Sequence, residues 1–274
     1  MTLTPITKLL LTAEAEVGYL EKKSNSNLAS KTENAGSNNY TKYANDFDKI
    51  YTSFYNGKKN GAAWCDMFVD WCFVKTFGEA LALKLLGQPK KSCGAGCKFS
   101  ADYFKKINRF YKSPKAGDQI FFKNSSGTPC HTGLVYKVDS TYVYTIEGNT
   151  SSAAGVVANG GAVEKKKYKI NYASIYGYGR PDYSLAESKA TTASKPAAKP
   201  ATTTASSTNK KQYYKRYTGN SNSIVDALKS INVDSSFTYR KKIAKANGIG
   251  GYLGTPTQNT KLLIKLKAGT LIKP

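Results

Sequence analysis

The chain of 274 residues has one histidine, two tryptophans, two methionines and few acidic residues, 18 Asp and Glu against 41 Lys and Arg. Long apolar runs are missing too: nothing approaches the roughly 18 consecutive apolar residues of a bilayer-spanning helix, so no membrane span is expected. The start, MTLTPITKLLLTAEAEVGYLEKK, lacks a basic leader and a sustained apolar stretch, and Glu14 and Glu16 follow early, so it reads as a folded helix of a protein made in the cytoplasm. Thr4 is the expected cap and Pro5 the first helical residue, with Ile6, Leu9, Leu10, Ala13 and Val17 forming one apolar stripe. The five cysteines (Cys65, Cys72, Cys93, Cys97 and Cys130) are odd in number and confined to the first half, a poor disulfide framework that leaves at least one free thiol. Pairing of Cys93 with Cys97 stays open. Their spacing resembles half a metal site, but Cys130 and His131 are strand neighbours and badly placed to grip one ion, so no metal or other cofactor is expected.

What the chain has in excess is positive charge, a net of +23. Residues 189–274 hold 16 Lys and Arg against Asp226 and Asp234, a net of +14, which leaves +9 for residues 1–188. The C-terminal third is therefore the part suited to a polyanion: nucleic acid, anionic lipid or a phosphate-rich wall polymer. Aromatic interleaving there is weak (Tyr213, Tyr214, Tyr217), which argues against a nucleic-acid partner.

Residues 184–211, rich in Ala, Thr, Ser, Lys and Pro, have the composition of a linker between a domain at 1–183 and a smaller one at 212–274. In the first domain helical signals (AAWCDMFVDWCFVKTF, FSADYFKKI) run to about residue 110, and alternating aromatic-rich strand signals follow to about 180. Helices first and antiparallel strands later predict an α+β fold. Gly36 to Asn39 and Asn56 to Gly61 read as loops, and Asp118 as a turn residue opening a strand. In the second domain three helices are expected, at 224–231, 237–247 and 256–267, with Thr255 as an N-cap and Gly248 and Gly269 as stops.

A cysteine that attacks an amide must be a thiolate, and a helix start beside an imidazole supplies one. Cys65 lies near the beginning of a helix that is apolar almost all round, whereas Cys72, two turns on, is expected to pack as a small apolar residue. His131 sits in a strand, CHTGLVYKV, that can form a hairpin with TYVYTIEGN. A three-residue loop, Asp139 to Thr141, puts Leu134, Tyr136, Val138, Tyr142, Tyr144 and Ile146 on one face. That register sets His131 opposite Asn149 with Glu147 one step away, turns Cys130 to the other face, and leaves room for a substrate at Gly133. Glu147 is then the expected acceptor that orients the imidazole, with Asn149 orienting a ring or polarising a carbonyl.

These residues resemble the CHAP amidase/endopeptidase family. The resemblance rests on WCDMFVDWC, PKAGDQIFF, HTGLVYKV, YTIEGN and the closing GYGRP, in the family's order over most of residues 1–183. It implies a papain-like fold and hydrolysis of peptidoglycan at N-acetylmuramoyl-L-alanine amides or at stem-peptide and cross-bridge bonds, with Cys65, His131 and Glu147 catalytic and Asn149 supporting. Some relatives carry an Asp-rich calcium loop; SNSNLASKTENAGSNNY does not have that pattern, and calcium is not carried over. The pieces IVDALKSINVDSSF, RKKIAKANGI and QNTKLL resemble C-terminal modules of lysins from Gram-positive bacteria and their phages, which implies binding to peptidoglycan or teichoic acid and action on the wall after release from the cell. The competing classes are a basic nucleic-acid-binding protein and a non-catalytic wall protein. Amidase and endopeptidase share one catalytic set, so the bond stays open.

Overall fold

The computed structural model describes residues 4–91, 94–191, 212–219, 221, 223–250, 252, 254 and 256–274. They fall into two compact units, one within Thr4–Lys195 and one within Pro196–Pro274.

The first unit opens with α1 (Pro5–Glu14), where Thr4 Oγ1 accepts from Thr7 N at 3.1 Å and Leu9 and Ala13 are buried, as the stripe predicts. After a loop, α2 (Lys42–Lys49) is capped by Thr41, which accepts from Ala44 N at 3.1 Å. The loop before it is pinned by cations on carbonyls: Lys22 Nζ donates to Lys31 O at 3.1 Å and Lys31 Nζ to Val17 O at 2.6 Å. Next comes α3 (Cys65–Phe77), in which every residue from Cys65 to Val74 is buried. α4 (Glu79–Leu86) and α5 (Cys97–Lys106) complete the helical half.

Six antiparallel strands follow: β1 (Phe110–Tyr111), β2 (Gln119–Lys123), β3 (Pro129–Val138), β4 (Tyr142–Thr150), β5 (Ala162–Lys169) and β6 (Ile175–Gly179). They pair in the order β1-β6-β2-β3-β4-β5, the α+β arrangement expected. Alternation sorts their side chains. Phe121, Leu134, Ile146 and Val163 enter one core with Met67 and Phe68 of α3, while Ile120, Phe122, Val135, Val143 and Tyr168 form a second core on the other face. Close approach of α3 requires Gly148, because a Cβ there would lie 2.5 Å from Phe68 Cβ and 2.9 Å from the Trp64 ring.

The β3–β4 hairpin keeps the expected register beside the site, with Leu134 opposite Ile146 and Val135 opposite Thr145. It then departs from it. A bulge between Val135 and Lys137 shifts the ladder by one, so Lys137 faces Tyr144 and Val138 faces Val143. Val138 therefore leaves the face of Leu134 and packs with Val135 and Val143, while the rings of Tyr136, Tyr142 and Tyr144 stay neighbours. The turn itself explains the shift: Asp139 Oδ1 accepts from Thr141 N at 2.9 Å and Tyr142 N at 2.8 Å, which draws Tyr142 into the loop.

Composition assigns Ser184 onward to the linker, yet Ser184–Thr191 forms a helix, α6, and Ala186 packs against the first core. Its sequence, SLAESKAT, has too few apolar residues to register as helical periodicity. The remainder of that stretch, 192–211, lies outside the described residues.

The second unit holds α7 (Ile224–Ser230), α8 (Phe237–Ala246) and α9 (Pro256–Ala268), within a residue of the expected spans. Leu228, Ile243, Leu262, Leu266 and Leu271 make its core with Tyr214, Tyr217 and Tyr252. Ser223 and Ser236 cap α7 and α8, and Gly248 and Gly269 adopt φ of 71° and 72°, the left-handed form suited to helix stops. Thr255 lies outside the described residues. The two ends of the unit are joined where Tyr214 N donates to Leu271 O at 2.9 Å and Lys273 N to Gln212 O at 2.8 Å.

Candidate active site

Cys65 is the first residue of α3, 6% exposed, and Trp64 before it offers no side-chain cap. The N–H groups of the first turn are thus left for whatever charge forms at the sulfur or on a substrate oxygen. The helix start is fixed from beneath. Asp66, fully buried, accepts from Ser100 Oγ of α5 at 2.7 Å and from Gln119 Nε2 of β2 at 3.0 Å. Gln119 Nε2 also donates to Thr132 Oγ1 at 3.1 Å, so one amide links the turn bearing Cys65 to the strand bearing His131. Burial lifts the Asp66 carboxyl to about 6, against the opposing pull of the Ser100 and Gln119 bonds. Asp70, one turn on and held by Tyr55 Oη at 2.6 Å, lies well above the usual carboxylate range through burial and then the charge of Asp66.

The imidazole of His131 is wholly buried, stacked near Phe122 with ring centres 5.9 Å apart. Its Nε2 and Glu147 Oε2 are 2.9 Å apart. Glu147 also accepts from Thr145 Oγ1 at 2.5 Å and from Tyr168 Oη at 3.2 Å. Three donors on one carboxylate hold it in place and favour the tautomer in which Nε2 carries the proton. Nδ1 is then a lone pair, and it has no hydrogen-bond partner. Gly133 has a different job from the one expected of it: a Cβ there would meet Glu147 Cγ at 2.5 Å, so the space is occupied by Glu147 rather than kept for a substrate.

Two expected hydrogen-bonded pairings are not made among the described residues. No hydrogen bond joins Cys65 to His131 among the described residues; the neighbouring Cys65 and then burial push up the thiol of Cys97, the first residue of α5. Asn149 adopts a left-handed φ of 54°, accepts from Gly161 N at 3.3 Å and points its Nδ2 at Asn39 Oδ1, 3.5 Å away. It ties the β4 end to the loop before α2, because the ladder breaks between Glu147 and Thr150 and strand alternation no longer governs the side chain. Cys72 is fully buried in the first core, where burial and then the charge of Glu16 push its thiol up. Cys97 and Cys130 are free thiols; Cys93 lies outside the described residues. Among the described residues no group of three or more His, Cys, Asp and Glu is arranged to hold a metal ion.

Ser100, Gln119, Thr145 and Tyr168 were not singled out by sequence, and Cys97 only for its spacing from Cys93. Thr145 was within reach, since it lies two residues before Glu147 on the same strand face; the others meet the site only through packing.

Residues 57–149 match the sequence model of the CHAP domain. This segment is a CHAP domain. It contains all of α3 and the strands that carry His131 and Glu147. Two curated relatives share shorter stretches: an L-alanyl-D-glutamate peptidase of Listeria phage A118 is 56% identical over 50 residues, 18% of either chain. An endolysin of Listeria phage A511 is 48% identical over 46 residues, 17% of this chain and 14% of the relative. The chain thus matches less than a fifth of the length of these relatives. Among solved structures, the crystal structure of Ly7917 aligns over 66% of this chain and 63% of its own at 15% identity, with a TM-score of 0.39. The crystal structure of Ly7917 with the hydrolyzing product of MDP aligns over 64% and 62%, at 16% identity and a TM-score of 0.36.

Proposed function

We propose that the unit containing the CHAP domain hydrolyses an amide bond of peptidoglycan, with Cys65 as nucleophile, His131 as base and Glu147 holding the imidazole. The observation that carries this reading is the buried His131 ring, whose Nε2 is taken by Glu147 and whose Nδ1 is left unpartnered. Cys65 and His131 both act on the Cys97 thiol, and no hydrogen bond joins the two proposed catalytic groups at rest. Such bonds are often long at a resting site and tighten when substrate arrives.

The Cys65 proton passes to Nδ1, and the thiolate is stabilised at the α3 N-terminus. Sulfur adds to the amide carbon, and the negative charge moves to oxygen, where first-turn N–H groups receive it. The imidazolium then gives its proton to the leaving nitrogen as the C–N bond breaks, which leaves a thioester on Cys65. The same imidazole deprotonates water, and hydroxide attack releases the acid and restores the thiol. Asn149 supports the site indirectly, by anchoring the Asn39 loop at its edge.

The bond can be an N-acetylmuramoyl-L-alanine amide or one in the stem peptide or cross-bridge. The name of the A118 relative, an L-alanyl-D-glutamate peptidase, makes the first stem-peptide bond the one to examine first. We assign the unit at 212–274 to binding the wall, with anionic polymer such as teichoic acid as its ligand. A cleft of about 680 Å³ lined by Lys241, Lys242, Lys245, Ile249 and Tyr252 supports this. The proposed setting is phage-directed lysis of a Gram-positive cell from within. Among the described residues no helix is long and apolar enough to cross a membrane.

Purified protein is expected to clear suspensions of a Gram-positive bacterium and to release new chain ends from isolated peptidoglycan, identified by mass spectrometry. Cys65→Ser should lose at least about a thousandfold in rate. Lysis by the variant at the wild-type rate overturns the assignment.

A further inference from the structure

The face of the sheet that carries the first core extends beyond it. Glu14, the last residue of α1, marks the margin: its Oε1 lies 2.6 Å from Lys165 Nζ of β5. Between this pair and the β3–β4 turn, Tyr136, Tyr144 and Tyr142 form a half-buried row with ring centres 6.0 and 6.2 Å apart. The ladders bring lysines to the same rings. On β5, Lys167 stands opposite Tyr144 and Lys169 opposite Tyr142, and the β3 bulge sets Lys137 opposite Tyr144 from the other side. Lys137 Nζ lies 4.6 Å from the centre of the Tyr144 ring, and Lys167 Nζ 5.1 Å from that of Tyr142. These three lysines are exposed, and none forms an ion pair among the described residues.

We infer that this strip is a second wall-binding surface, which takes an anionic, phosphate-bearing polymer such as teichoic acid. The inference draws its setting from the peptidoglycan-hydrolase reading. Ammonium groups gathered on one surface without carboxylate partners repel one another, and a polyanion relieves that repulsion while shedding its own counterions. The carboxylates that border the strip are already used. Asp139 accepts from Tyr144 Oη at 2.7 Å and from two turn N–H groups, and Glu14 holds Lys165. A ring beneath an ammonium group limits where that charge can go, so less side-chain freedom is lost when a phosphate binds. Tyr142 and Asn149 stand at opposite ends of β4, on the order of 20 Å apart along the strand, so the strip can hold a polymer without entering the site. β5 is also an edge strand, and lysines on an open edge discourage pairing with other chains. That role asks nothing of Lys137 on β3 or of the three rings.

The test uses full-length Cys65→Ser protein and purified Gram-positive walls, intact or stripped of phosphate polymer. Replacing Lys137, Lys167 and Lys169 together by Gln should weaken binding to intact walls about tenfold at low salt and flatten its salt dependence, with no change on stripped walls. Arg at the same three positions should keep the affinity. Gln at Lys58, Lys84 and Lys90, exposed lysines on other elements of the unit, removes equal charge and should cost less than about twofold. The inference fails if the strip variant, melting as its parent does, binds intact walls equally tightly, if the control set loses as much, or if the loss is the same on stripped walls. A strip variant that self-associates in sedimentation while keeping its wall affinity would show edge protection and overturn the inference too. Wild-type protein that binds walls without cutting them would count against the hydrolase reading alone.

Discussion

At the scale of single residues, the site is a set of buried polar groups whose partners decide their protonation. Asp66 is the clearest case, with a carboxyl raised from 3.8 to about 6 chiefly by burial. Between those two values the native protein holds a proton that the unfolded chain has released. Stability from this group therefore falls as pH rises from about 4 through about 6, by up to roughly 3 kcal/mol. Asp66→Asn can keep both neighbours, since its oxygen accepts from Gln119 and its nitrogen donates to Ser100. Its stability relative to wild type should be lowest near pH 4 and improve toward pH 7 in urea unfolding. A difference constant across that range contradicts the assignment. Much of this scale was readable beforehand: the only histidine and a cysteine opening a helix narrowed the candidates, and period-two alternation linked His131 to Glu147. Asn149 escaped because left-handed backbone breaks the alternation on which that reasoning depends.

At the scale of elements, two glycines separate packing from chemistry. Gly148 lets α3 lie on β4, and Gly133 makes room for Glu147 beneath His131. Gly148→Ala forces a Cβ against Phe68 and Trp64, neither of which can withdraw from the core, and should cost about 1–3 kcal/mol in thermal unfolding. Gly133→Ala meets the flexible Glu147 side chain and also the Ile146 carbonyl oxygen at 2.9 Å. It should displace the carboxylate and lower kcat by about a hundredfold, with a smaller loss of stability than Gly148→Ala. The opposite ranking, with Gly133→Ala the less active-site-specific of the two, would remove Glu147 from its role. Apolar periodicity foretold α1, α3, the strands and the three C-terminal helices. It missed α6, and it missed the bulge that turns Val138 over, because a hydrogen-bonding Asp139 turn overrode the apolar pattern.

At the scale of the whole molecule, charge is divided unevenly, with +14 of the net +23 in residues 189–274. Lys241, Lys242 and Lys245 line one cleft with Ile249 and Tyr252. In full-length Cys65→Ser protein, expected to bind without cutting, replacing the three lysines by Ala should weaken binding to purified wall about tenfold at low salt and flatten its salt dependence. Walls stripped of phosphate polymer should bind wild type and variant alike. Equal binding of both proteins to intact walls would move the ligand away from this cleft, and stronger binding to DNA than to wall would favour the nucleic-acid reading.

The sequence by itself determined what could react and in what order the elements come. One imidazole, a cysteine at a helix start and an i, i+2 pair of polar residues on a strand are local properties, set by side-chain chemistry and by the periods 3.6 and 2. Only the tertiary structure decided which groups meet. Asp66 with Ser100 and Gln119, and Asn149 with Asn39 are joined across 34 to 110 positions of chain. No period connects residues so far apart; they are brought together by two helix starts packing against the ends of β2, β3 and β4, and the burial and partners each carboxylate finds there set its charge.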